Sequence, residues 1–285
     1  MDAGYGQALY YPYIHLAEEN WLKVAALYYD CLSRIVPHGY VPNDSEFVTA
    51  LNAKTHFFRN AYPGEEVLEI QYGFLDFAKE HLVDAAKRAA IWETLDGHLP
   101  PIIAVIHQNK FESALLYELC ELGLAKTPDD WSEEWHTLDP LTAALYMTFL
   151  ADRMAQRRGL PLVTDDPTLQ PLLRDFQSEA GTEPDAAFAL ASIVIETAIP
   201  VNIEQISVSQ IADFRAATEL ERPRFYEALR ELSKGILLVE DAGALEQLLN
   251  HKQEIIEDAV SSLKMSYMNT GIACTTGLLG LSVPA

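Results

Sequence analysis

The sequence predicts a mostly α-helical chain with a small mixed α/β part: short strands in an N-terminal α/β body, followed by a long antiparallel helical hairpin. Three observations carry this. Ala8–Tyr40 passes from a short aromatic β-type run to an apolar-striped helix and then to a Pro-Gly turn. Trp135–Pro167 reads strand, helix, strand with short connections. Beyond Pro200 the apolar residues keep helical period alone. The expected divisions are an α/β body over 1–200, the hairpin over 201–269 and an uncharged apolar tail over 270–285.

Leu9–Leu16 carries Tyr10, Tyr11, Tyr13 and Ile14, which suit a pleated surface. Pro12 lacks an N–H, so the strand is expected at an edge or with a bulge. From Ala17 to Ile35, Trp21, Val24, Ala25, Tyr28, Leu32 and Ile35 share one helical face. Glu18 and Glu19 suit the positive end of its dipole, and Pro37 and Gly39 stop it.

The pattern Tyr10–His15 (YYPYIH), Trp21–Lys23 (WLK), Leu27–Asp30 and Arg34–Pro37 (RIVP) resembles the start of a bacterial family known as a domain of unknown function. The resemblance extends through the later Leu-Val-Thr-Asp-Asp and Asp-Phe-Arg segments. It implies no activity, cofactor or site residue.

Asn43 and Asp44 are placed to cap a short helix through Ala50, and Asn60–Gly64 is turn chemistry. Phe74–Leu95 predicts one helix, with Phe74, Phe77, Ala78, His81, Leu82, Ala85, Ala89 and Trp92 on one stripe at helical spacing. His81 reads as a packed histidine, because no partner motif accompanies it. Ile102–Ile106 suits a buried strand, and Phe111–Leu122 a helix closed by Gly123. Asp129–Trp135 reads as a solvated acidic loop with packed indoles.

In the next unit, Asp139 as N-cap and Pro140 as first helical residue open a largely buried helix, Leu141–Arg158, that Gly159 closes. Flanking strands Trp135–Leu138 and Leu160–Thr164 imply a right-handed parallel crossover. Gly181–Asp185 reads as a loop, and Ala187–Ile199 as helix or buried strand. Ser207 with Gln210 is a capping box. Ile211, Phe214 and Thr218 form a seam continued by Phe225, Leu229 and Leu232. Pro223 inside a helix would cost about 3 kcal/mol, so a kink or restart is expected there. Leu245–Met268 is the hairpin's second helix. Gly271–Ala285 has no charge and is too short to span a bilayer. It is expected to be a buried end or part of a longer apolar region, and membrane association is expected only if that run continues.

Across 285 residues, 49% are apolar, enough for a sizeable core. There are 42 acidic against 20 basic residues, a formal charge of −22. That argues against nonspecific binding to nucleic acid or anionic membranes and for a soluble cytoplasmic protein. Cys31, Cys120 and Cys274 are widely spaced and read as reduced thiols.

No Gly-rich phosphate loop, G-x-S-x-G, H-E-x-x-H or C-x-x-C occurs. The candidate constellation is Asp139, Asp165 and Asp166. In a parallel β-α-β unit such carboxylates share one sheet edge, where Mg²⁺ or Mn²⁺ takes oxygen ligands. By fold analogy this is the chemistry of a PIN-like, metal-dependent phosphoester hydrolase. Each acid also has an ordinary explanation: Asp139 as a helix cap, and Asp165-Asp166-Pro167 as a turn. Arg157 and Arg158 suit a helix C-terminus, and Arg222 and Arg224 read as a solvated face or an acidic-partner site. Overall the sequence favours an interaction or structural module that self-associates or binds a protein partner, with no cofactor. The metal-dependent hydrolase is the alternative.

Overall fold

β1 (Gln7–Tyr10) lies inside a parallel sheet, between β2 (Cys31–Ile35) and β6 (Leu162–Val163), with β3 (Phe58–Ala61) beyond β2. The computed structural model describes residues 6–95, 104–166, 169, 202–224, 270 and 272. The expected features at 181–199, 225–232 and 245–268, most of the apolar tail, and hence the hairpin, lie outside them.

The strand order is β3-β2-β1-β6, every pair parallel. Leu9 stands opposite Ser33 on one side and Leu162 on the other. Strand periodicity divides the side chains between two cores. Leu9, Ile35, Ala61 and Leu162 face α3 (Glu65–Phe77) and α6 (Pro140–Arg158). Ala8, Tyr10, Leu32, Phe58 and Val163 face α1 (Glu19–Tyr28), α2 (Glu46–Thr55) and α7 (Val208–Ala217). The sheet is thus covered on both faces, as parallel sheets require.

β1 ends earlier than expected and is an interior strand. Pro12 lies just past its end, after a cis Tyr11–Pro12 bond, so its missing N–H costs the ladder nothing. The helix expected to reach Ile35 stops at Tyr28. Leu32 and Ile35 match helical spacing, but Cys31–Ile35 is buried throughout and is a central strand. A strand covered on both faces carries a continuous apolar run, which helical spacing also fits.

α2 is capped by Ser45, whose hydroxyl accepts from the Val48 N–H; Asp44 is instead an ion-pair partner of Arg34. The helix expected over 74–95 is divided. α3 starts at Glu65, a π turn covers Ala78–Leu82, and α4 (Ala85–Thr94) begins afresh where Asp84 accepts from the Ala86 and Lys87 N–H groups. Ala85 and Ala89, expected on the stripe, are consequently exposed. His81 stacks against Phe77 at a centroid distance of 4.8 Å.

β4 (Val105–His107) pairs antiparallel with β5 (Trp135–Thr137) in a separate two-stranded sheet. This overturns the expected parallel crossover. β5 and β6 flank α6 in sequence but belong to different sheets, because β5 takes its ladder bonds from β4 and β6 takes its own from β1. α5 (Ser113–Glu121) precedes β5, with Gly123 at φ +70° just beyond its end.

α6 matches expectation closely. Asp139 Oδ1 accepts from Thr142 N–H, Pro140 is the first residue, and Gly159 closes the helix at φ +61°. The Ser207–Gln210 capping box opens α7; its Ile211 and Phe214, and Thr218 at its C-cap, are fully buried. Helical structure lapses after Ala217 and resumes at Glu221, ahead of Pro223. Among the described residues no helix is long and apolar enough to cross a membrane.

Candidate functional site

Strand order fixes where a ligand would enter. The chain runs from β1 to β2 to β3 in one direction, then returns to place β6 on the far side of β1. The connections leaving β1 and β6 therefore diverge at their carboxyl ends, and such a switch point leaves a crevice. A cavity of about 720 Å³ occupies that position. It is bounded by Pro12–His15, Ala17, Glu18 and Trp21 after β1, and by Asp165 and Asp166 after β6. Val105, Ile106 and Trp135 close it from the two-stranded sheet, Lys110 from the turn after β4, and Met147 from α6.

Three anchors hold the end of β1 and the loop after it. Tyr10 Oη donates to Asp165 Oδ1 at 2.8 Å, and Tyr13 Oη donates to Asp166 Oδ2 at 2.7 Å. Arg34, buried in β2, donates to the Ile14 carbonyl at 3.2 Å and to Asn60 Oδ1 at 3.1 Å. Its guanidinium also forms a two-pronged pair with the Asp44 carboxylate. The main chain of the YYPYIH segment is thereby fastened to β2, and the Tyr10 and Tyr13 phenols to the end of β6.

The two indoles in the walls are packed against other rings. Trp21 lies 5.7 Å from Tyr10 between centroids. Trp135 meets His107 edge-on at 4.9 Å and Tyr40 at 5.5 Å. Both indoles line the cavity.

Polar groups in the site have unequal surroundings. Burial raises the Asp165 carboxyl above the usual range, and the Tyr10 hydrogen bond opposes that shift. Burial likewise raises the Tyr10 and Tyr13 phenols, so both remain protonated donors. Lys110 ends a single 3₁₀ turn, Gln108–Lys110, and its carbonyl accepts from Tyr146 Oη at 2.6 Å. It is 4% exposed. Its ammonium has no hydrogen bond or ion pair among the described residues, and burial alone pulls it down to about 7.

The three carboxylates expected to act together are not assembled. Asp165 and Asp166 line the cavity; Asp139 does not, and its carboxylate engages Arg88 and Thr142 instead. Among the described residues no group of three or more His, Cys, Asp or Glu side chains is placed to hold a metal ion. Arg157 pairs with Glu65 and Glu69, and Arg158 donates to the Tyr62 carbonyl. Arg222, expected on an exposed face, is buried and bound to Asp30 at 2.9 Å.

Sequence patterning missed Lys110, Trp21 and Trp135 as cavity residues. Trp21 carries a helical-face signal and Trp135 a strand signal, both of which predict burial without saying beside what. Nothing around Lys110 in the sequence marks it; its turn is tied to α6 by the Tyr146 bond to its carbonyl, a contact between residues far apart in sequence. No family model, curated protein or solved structure matches the chain. Of the motif residues read in the sequence, Tyr10, Tyr13, Trp21 and Arg34 build or brace the cavity wall.

Proposed function

We propose that this protein binds a small organic molecule with a flat apolar body in the cavity at the carboxyl ends of β1 and β6. One observation carries the reading: a cavity of about 720 Å³ coincides with the switch point of a parallel sheet and has an indole in each of two walls. Ligand pockets span roughly 300–1,000 Å³ and are mainly apolar with a few converging polar groups. Asp165, Asp166, Glu18 and Lys110 supply those groups here.

The other readings draw less support. The metal-dependent hydrolase needs Asp139 beside Asp165 and Asp166, and Asp139 is engaged by Arg88. The interaction module rests on apolar seams, and the Ile211–Thr218 part of them is covered within the chain by α1 and α2.

Fluorescence titration with 2-naphthylmethanol, a neutral flat probe, tests the proposal. Saturable binding at one site is expected, and Ala17→Trp, which places an indole in the cavity mouth, is expected to abolish it. Absence of saturable binding, or equal binding by the variant, removes the reading.

A further inference from the structure

We infer that Lys110 captures a carbonyl ligand in this cavity, its amine condensing with an aldehyde or ketone to form an imine. This rests on the proposed ligand pocket and adds the chemical class of what enters it.

The argument begins with a contrast. Lys23 and Lys110 are the buried lysines among the described residues, each 4% exposed. Lys23 is fully engaged: it pairs with Glu19 at 2.9 Å and donates to the Glu204 carbonyl at 2.8 Å. Lys110 has no such partner and lines the cavity. A structural lysine would be given a counter-ion, since an unpaired buried charge is costly. An amine left unpaired beside an open, largely apolar space is the arrangement that makes lysine a nucleophile.

The surroundings favour the neutral amine. Val105, Ile106, Trp135 and Met147 are its cavity neighbours, and Tyr146 fixes its main chain. The ionisable side chains lining the cavity with it are Tyr13, His15, Glu18, Asp165 and Asp166, and His107 on β4 lies close enough to interact with it electrostatically. Burial, with no opposing neighbour charge, accounts for the fall in its pKa.

The step balances without an oxidant or reductant. The Nζ lone pair attacks the carbonyl carbon, and the C=O π pair moves to oxygen. A proton passes from nitrogen to that oxygen, giving a carbinolamine. Loss of the oxygen as one water forms the C=N bond, and addition of water reverses the sequence.

The test treats the full chain with 2-naphthaldehyde and then sodium borohydride, which fixes an imine as a secondary amine. Peptide mass mapping is expected to place the adduct on Lys110 at least about tenfold faster than on exposed lysines at pH 7. Lys110→Arg and Lys110→Met should remove that adduct, and Lys23→Arg should retain it. If naphthylmethanol saturates the wild type but no adduct forms at Lys110, imine capture is overturned and the pocket stands. If neither compound binds, both readings fall.

Discussion

The Tyr10 hydroxyl donates to Asp165 Oδ1 at 2.8 Å, joining the carboxyl end of β1 to that of β6 where the strand order reverses. Tyr10 has no exposed surface, so its donor cannot be replaced by bulk water. Tyr10→Phe is expected to destabilise the protein by about 1–3 kcal/mol, read from urea unfolding, because a half-buried carboxylate loses a partner. The bond lowers the Asp165 pKa against the raising effect of burial. Removing it raises the native value further above that of the unfolded chain. Stability is then lost as pH rises above the unfolded carboxyl range, so the variant's deficit should grow from acid toward neutral pH. A deficit that shrinks with rising pH would contradict the arrangement.

Arg34 braces the cavity from behind. Its guanidinium reaches Ile14, Asp44 and Asn60 at once, a geometry that needs a planar fork. Arg34→Lys keeps the charge and loses the fork. The expected cost is about 2–4 kcal/mol by denaturant unfolding. Naphthylmethanol should also bind at least about threefold more weakly, because Ile14 is part of the wall. Unchanged affinity alongside lowered stability would show that the loop holds its shape without Arg34.

Which parts of this were readable beforehand follows from how local their causes are. The start and end of α6 depend on Asp139, Pro140 and Gly159 acting on their own backbone neighbours, and the α7 capping box is equally local. Both were legible. β2 was hidden in a helical pattern, because Leu32 and Ile35 satisfy either period and the choice is made by β1 and β3 on its flanks. β5 was recognisable as a strand, but its partner was not, since pairing with β4 depends on a chain reversal some 30 residues long. Of the expected acids, Asp165 and Asp166 do reach the cavity at a strand end, as their position after an apolar run suggested. Asp139 does not, and Lys110 acquires its environment only through tertiary packing.

Arg215 offers a test of how α7 is bound to the sheet body. It is buried and donates to the carbonyls of Ala26, Tyr29 and Asp30 at 2.5–2.7 Å, closing the C-terminus of α1. Cations at that end are favoured by the dipole. Arg222 stands behind it, bound to Asp30, to the Arg215 carbonyl and to Thr218. Arg215→Met and Arg222→Met should each cost about 3–5 kcal/mol. Because the two share Asp30, the double variant should lose less than the sum by at least about 1 kcal/mol. Strict additivity in chemical denaturation would mean that they act separately.

Lys110 gives the prediction with the clearest sign. Its native pKa is pulled down to about 7 by burial, against an ordinary value of 10.5. Between those values the unfolded chain binds more protons than the native one, so this residue makes stability rise with pH. Below about 7 both states are charged and the full penalty of a buried, unpaired ammonium is felt. Above 10.5 both are neutral and the penalty is gone. Lys110→Met removes the titrating group and keeps a similar stem. The variant is therefore expected to be more stable than the wild type by on the order of 5 kcal/mol at pH 6, with the gap closing toward pH 10. Urea unfolding of both proteins across that range measures it. An anion that enters the cavity and pairs with the ammonium would raise the wild-type pKa and close the gap at low pH, so the comparison belongs in a large, non-binding buffer. A variant less stable than the wild type at pH 6 would mean that the ammonium is paired after all.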